Sequence, residues 1–120
     1  MIERERIEYA TLKNGWTTLE DSHLIKIILN AMGDEDKKNI INAVIDKSRK
    51  ISEILQISNI PHTSGYRKIR TLIDDGILIP HGSVKMQDGK RIAKYKSIFD
   101  NIDISMEKNK VVVKVHHAII

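Results

Sequence analysis

The sequence predicts an α+β chain in which helices come first and antiparallel strand pairs follow. Three observations carry that prediction. Between residues 21 and 75 isoleucine and leucine recur at three- and four-residue intervals, the spacing that places them on one face of a helix. From residue 77 onward apolar and polar residues tend to alternate, as they do where a strand shows one face to a core and the other to water. Each alternating region holds a turn signal, Asp88-Gly89 in the first and Asn109 in the second, so each reads as a hairpin.

Taken in order, residues 1–20 are charged and weakly patterned; Ile2, Tyr9 and Leu12 are too sparse to define a face, and a short helix or an arm is expected. Thr18 or Asp21-Ser22 can cap the next helix, whose Leu24, Ile25, Ile27, Ile28 and Met32 make a stripe broad enough to be largely buried. Gly33 ends it. Asp34 opens a second helix with Glu35 and Asp36 in its first turn, where the helix dipole favours negative charge. Ile40, Ile41, Val44 and Ile45 form its buried face. After a basic connector over residues 47–50, Ile51 is expected to add a single short strand before Ser52 caps a helix over residues 53–57, with Ile54 and Leu55 inward.

The run Ser58-Asn59-Ile60-Pro61 cannot continue that helix smoothly, because proline lacks an amide proton and restricts the residue before it. Pro61 suits a first helical position, so a new helix begins there or just after it. Ile69, Leu72 and Ile73 make its inner stripe, while His62, Thr63, Tyr66, Arg67 and Arg70 fall mainly on the other side. Gly65 costs a helix interior about 1 kcal/mol relative to alanine, which predicts a close approach to the preceding helix. Gly76 follows Asp74-Asp75 where the chain leaves the helix through a left-handed residue. Strand-like runs at 77–84 and 92–97 then flank Asp88-Gly89, Lys90 and Arg91. Ile102, Ile104 and Met106 on one side of Asn109, and Val111, Val113 and Val115 on the other, predict a second hairpin.

The composition, 41% hydrophobic and 30% charged, is that of a globular chain, and 4% aromatic residues leave an aliphatic core. The absence of cysteine excludes disulfides, thiolate metal sites and thiol redox sensing. No apolar run approaches the length of a membrane span, and MIERERIEY lacks the apolar stretch of a signal peptide, so a cytoplasmic protein is expected. The net charge of +4 is unevenly spread: residues 47–97 hold eleven basic and four acidic residues, a net +7, which leaves −3 for the flanks. A polyanion would meet one face of this protein and not the others.

Two short helices, a two-stranded ribbon and a basic hairpin tip follow one another in the order of a winged helix-turn-helix. Residues 29–99 resemble the ArsR-like winged helix-turn-helix transcriptional regulators, more particularly the archaeal type, through LNAMGDEDKKNIINAV, ISEILQISNIPHTSGYRKIRTLIDDGILI and VKMQDGKRIAKYK. The resemblance covers a little over half the chain. It implies a three-helix core plus β-wing, a DNA-binding domain over residues 21–99. The residues outside it add an arm or short helix over 1–20 and an extra C-terminal β-hairpin, a strand pair over 100–120 that packs or dimerises.

The resemblance further implies that the helix at about 61–75 enters the major groove, with His62, Thr63, Tyr66 and Arg67 at base-contacting positions. Lys68 and Arg70 lie nearer the phosphates, and the wing at 85–92, with Lys90 and Arg91 at its tip, follows the backbone or the minor groove. Lys50 and Lys94 complete the backbone candidates. Independently of any family, arginine can pair bidentately with guanine, and polar residues near a helix start can reach base edges. Tyr66 has a second reading, in which its ring packs on a neighbouring helix and only the hydroxyl is exposed.

Metal-sensing members of the family use cysteine pairs or histidine clusters. This chain has no cysteine and five scattered histidines, of which His116 and His117 are neighbours that a strand would point to opposite faces, so neither a metal site nor a cofactor is expected. An enzyme is not expected either: there is no phosphate-binding glycine loop, zinc-protease pair or nucleophile in a recognisable setting. A winged helix used as a protein-interaction module would show apolar or mixed-sign residues where this chain has Arg67, Lys68, Arg70, Lys90, Arg91, Lys94 and Lys96. An RNA-binding protein using the same basic face would want stacking platforms, and Tyr66 and Tyr95 are nearly all the chain offers. The expected partners are double-stranded DNA and a second copy of the chain, joined through residues 1–32 and 98–120. The helix at 24–32 and the valine face at 111–115 are expected to be more apolar surface than one copy can hide.

Overall fold

The computed structural model describes residues 15–118, so most of the arm or short helix expected over residues 1–20 lies outside that range. Its first element is a strand, β1 (Trp16–Thr18), which replaces the arm or short helix expected at that point. Only three residues pair, too few for alternation to register in the sequence. Asp21 then accepts hydrogen bonds from the N–H groups of His23 and Leu24 at 2.9 and 3.1 Å and starts α1 (Ser22–Met32). Gly33 closes that helix by donating to Leu29 O at 3.0 Å. Asp34 caps α2 (Glu35–Ala43) by accepting from the Lys37 N–H at 3.1 Å, with Glu35 and Asp36 in its first turn.

The next junction differs from the sequence reading. The short strand is β2 (Arg49–Lys50), and Ile51 is already the first residue of α3 (Ile51–Ser58). The Glu53 carboxylate accepts from the Lys50 N–H at 3.4 Å, so the helix begins two residues before Ser52 could cap it. Asn59, at φ +53°, ends α3 in the left-handed conformation. Pro61 then precedes α4 (His62–Asp74), which ends before Gly76 at φ +82°.

Two three-stranded antiparallel sheets complete the described chain. In one, β4 (Arg91–Ser97) lies between β2 and β3 (Leu78–Lys85); in the other, β6 (Lys110–His117) lies between β1 and β5 (Phe99–Glu107). The β5–β6 turn is Lys108-Asn109, both at positive φ (51° and 67°), the two-residue connection whose twist matches that of its strands. The fold is thus α+β, with four helices and two small antiparallel sheets among the described residues. No described helix is long and apolar enough to cross a membrane.

At the centre is α2, packed against α1, α3 and α4. Ile40, Val44, Ile54, Ile69 and Leu72 are fully buried around it, and the same cluster takes in Leu19, just after β1, and Phe99, Val113 and Val115 from the second sheet. The C-terminal strand pair therefore shares the helical core rather than standing apart from it. This removes the reason given for a dimer. Leu24, Ile28 and Ala31 of α1 and Val113 and Val115 of β6 are all buried in one chain, so a single copy hides the centres of both surfaces. What stays uncovered is the far end of the second hairpin, where Ile104, Met106 and Val111 are exposed and Met106 pairs in register with Val111.

Candidate nucleic-acid interface

The placement of α4 follows from what the chain lacks at Gly65. A Cβ there would collide with Leu55 Cδ2 and come within 3.0 Å of Ile60 Cγ2, so the missing side chain is what lets α4 lie against α3. Gly65, Ile69 and Leu72 are the buried stripe, and Ile73 is half-buried behind them. The rest of the helix surface carries His62 and Tyr66, which flank that stripe, and Thr63, Arg67 and Arg70, which lie opposite it, and every one of the five is exposed. Tyr66 retains 43% of its surface, and its ring lies nearly parallel to that of His62, 6.1 Å between centroids and 15° between planes. The ring rests on its own helix, one turn back.

Lys68 departs from the role the sequence suggests. Its ammonium lies 3.1 Å from Asp34 and 2.9 Å from Asp36, so two carboxylates at the start of α2 already neutralise it. Those hydrogen bonds, the one to Asp36 foremost, raise the Lys68 pKa above its ordinary value. Partial burial pushes the Asp34 carboxyl up, but the Lys37 N–H and the Lys68 ammonium outweigh it and hold the group below its ordinary range. Lys68 is a clasp between α4 and α2 and is withdrawn from the phosphate-facing set.

Two further basic residues are committed inside the chain. Lys96 is buried and donates to Ile45 O at 2.6 Å; Arg49 donates from Nε to Ala43 O at 2.9 Å and stands 3.9 Å from Glu53. The surface charge of the segment is accordingly smaller than its composition suggests.

The tip of the β3–β4 hairpin is built so that its cations stay free. Met86 donates to Lys90 O at 2.8 Å and Gly89 to Met86 O at 3.0 Å, with Gly89 at φ +87°. The Asp88 carboxylate accepts from the Lys90 N–H at 2.9 Å, which commits it to the turn rather than to an ammonium. Lys90 and Arg91 are exposed, and Arg91 is steadied by donating to Ser83 Oγ at 3.1 Å. Ser83 was not foreseen as a positioning residue; the hint lies in Pro80-His81-Gly82, since proline and glycine inside a strand mark the bulge that turns Ser83 toward Arg91. Lys94 passes over that bulge, its Cε 3.3 Å from where a Gly82 Cβ would sit. Lys50 and Lys94 are direct partners in the β2–β4 register.

Among the described residues no ion pair engages Lys50, Arg67, Arg70, Lys90, Arg91 or Lys94. Arg67, Arg70, Lys90 and Arg91 are exposed and Lys50 and Lys94 half-buried; unpaired side chains of one sign can take a polyanion without first breaking internal pairs. The two C-terminal histidines lie elsewhere. His116 Nδ1 is 2.6 Å from Asp100 and its ring meets Trp16, whereas His117 meets Phe99, so the neighbours do point to opposite faces. Comparisons of the chain with protein-family models, with curated proteins and with solved structures found no match.

Proposed function

We propose that this protein is a sequence-specific, duplex-DNA-binding transcriptional regulator of the winged helix-turn-helix type. In this reading α4 is the recognition helix in the major groove, and the β3–β4 hairpin is the wing on the backbone or minor groove. The observation that carries it is the exposed surface of α4, which holds His62, Thr63, Tyr66, Arg67 and Arg70 outside its buried stripe, with no acid paired to either arginine among the described residues. The order α2, β2, α3, α4, β3, β4, with β4 central in its sheet, supports the same reading.

The test is affinity for random duplex, single strand and RNA of equal length, each at several salt concentrations. Duplex should bind best, with a steep salt dependence. Replacing Lys90 and Arg91 together with alanine should lower the slope of log affinity against log salt by about 2, about 1 per phosphate contact, and weaken all duplexes alike. Lys68→Met is the internal control and should leave the slope unchanged, because that charge is already spent on Asp34 and Asp36. An unaltered slope in the double variant removes the wing from the interface; RNA binding as tight as duplex moves the reading to RNA.

A regulator of this size gains site length by pairing two recognition helices across a two-fold axis, and the exposed end of the second hairpin is the surface left for it. Cutting the chain after Phe99 would not test this, because it removes Val113 and Val115 from the core. Met106→Glu with Val111→Lys changes only exposed positions. Sedimentation at micromolar concentration should show the unaltered chain self-associating and the double variant monomeric; a monomeric unaltered chain, free and on DNA, rules the dimer out.

A further inference from the structure

Two open hollows on the described surface differ in the kind of their linings. One, of about 240 Å³, has Lys38 and Asp100 on its rim with Asn42 and Asn101, a mixture that favours no ligand charge. The other, of about 250 Å³, lies between the start of α3 and the β3–β4 hairpin. Its walls are Ile51, Met86, Ile92, Ala93 and Tyr95, with Lys50 and Ser52 at one end. Ile92 stays 40% exposed there, an aliphatic side chain open to water beside a charged hairpin tip.

The polar end carries one sign only. Lys50 is the one charged residue among those that line the hollow; its register partner Lys94 extends over Gly82 of β3 and takes no part in the lining. The nearest acid, Glu53, is turned to the Lys50 backbone N–H and to Arg49. We propose that this groove binds a small amphipathic anion, a carboxylate on a short apolar chain. The chain lies on Met86, Ile92 and Tyr95, where methionine adapts to irregular apolar shapes, and the carboxylate meets Lys50. The hollow, at about 250 Å³, falls just below the roughly 300 Å³ at which ligand pockets usually begin, which favours a small occupant. Lys50 is also a candidate phosphate contact, so occupancy should weaken duplex binding; that consequence alone rests on the DNA reading.

The test uses the full chain, no DNA, and three probes followed by amide chemical shifts. Octanoate has both the chain and the charge, octylammonium keeps the chain with the opposite charge, and inorganic phosphate keeps the sign without the chain. Octanoate should shift the amides of Ile51, Ser52, Ile92 and Tyr95 saturably, with half-saturation of order 1 mM for a ligand of this size. The other two probes should bind about fivefold more weakly or less, and Lys50→Met should cost octanoate about fivefold, as loss of a half-exposed charge pair does. Ile92→Glu, at an exposed position that leaves the fold intact, should abolish the shifts, with the remaining resonances reporting that fold. Absence of saturation, equal binding of octylammonium or of phosphate, or shifts centred elsewhere overturns the proposal. A chain that takes octanoate but not DNA would overturn the regulator reading and leave this site standing.

Discussion

Replacing Gly65 by valine should destabilise the protein by about 3 kcal/mol or more, and even alanine, normally the favoured residue in a helix, should fail to stabilise it. At an unencumbered helical position glycine to alanine gains up to about 1 kcal/mol, mostly through the entropy of the unfolded chain. Here the added methyl meets Leu55 Cδ2 inside contact distance and Ile60 Cγ2 at 3.0 Å, and both neighbours are buried, at 5% and 8% exposure. Overpacking of that kind costs about 1–3 kcal/mol, which cancels or exceeds the gain for alanine. Valine adds two further methyl groups and a stiff χ1 against the preceding turn, so both effects act in one direction. A loss of about 3 kcal/mol corresponds to a fall in Tm of roughly 10–20 °C for a small domain. Denaturant unfolding of the two variants at constant slope decides it: alanine raising stability by a full 1 kcal/mol would show that α3 and α4 are not in contact at this point.

The same glycine shows what could be read without coordinates. A glycine between Ser64 and Tyr66 in a strongly patterned helix is a local anomaly, and its cause, a neighbouring helix, could be inferred from its cost alone. Capping acids, the Pro61 break, Gly76 and the Asp88-Gly89 turn were legible for a similar reason, since each acts within about four residues of itself. What the sequence hid was long-range. Lys68 meets Asp34 and Asp36 across more than thirty positions, and Lys96 reaches Ile45 O across fifty-one, so their charges looked as free as those of Arg67 and Lys90. Strand β1 is too short for its pattern to show, and it exists because β6 offers an edge. The valine face was legible as apolar, but whether one chain could bury it depended on how α1, Leu19 and Phe99 meet, which periodicity does not report.

Arg67 and Tyr66 should separate sequence reading from general affinity. Alanine at Arg67 should cost specific duplex binding about 1–3 kcal/mol, between about fivefold and 150-fold, if its planar fork meets a guanine edge. Random duplex should lose much less, because only a phosphate contact or none is then removed. Tyr66 requires two variants. Phenylalanine keeps the ring on His62 and deletes the hydroxyl, whereas alanine also removes the stack that holds both rings in place. If the hydroxyl reads a base, both variants lose specificity; if the ring only positions His62 or touches a thymine methyl, phenylalanine is nearly neutral and alanine is not. Neither residue is part of the buried stripe of α4, so unfolding should stay unchanged and the binding losses can be assigned to the interface. Random duplex is the deciding arm, because the wing variants at Lys90 and Arg91 must weaken it as much as the specific site. Equal losses on specific and random duplex for Arg67→Ala would move Arg67 from base reading to phosphate positioning, and no loss on either would take the outer face of α4 out of the complex and with it the proposed function.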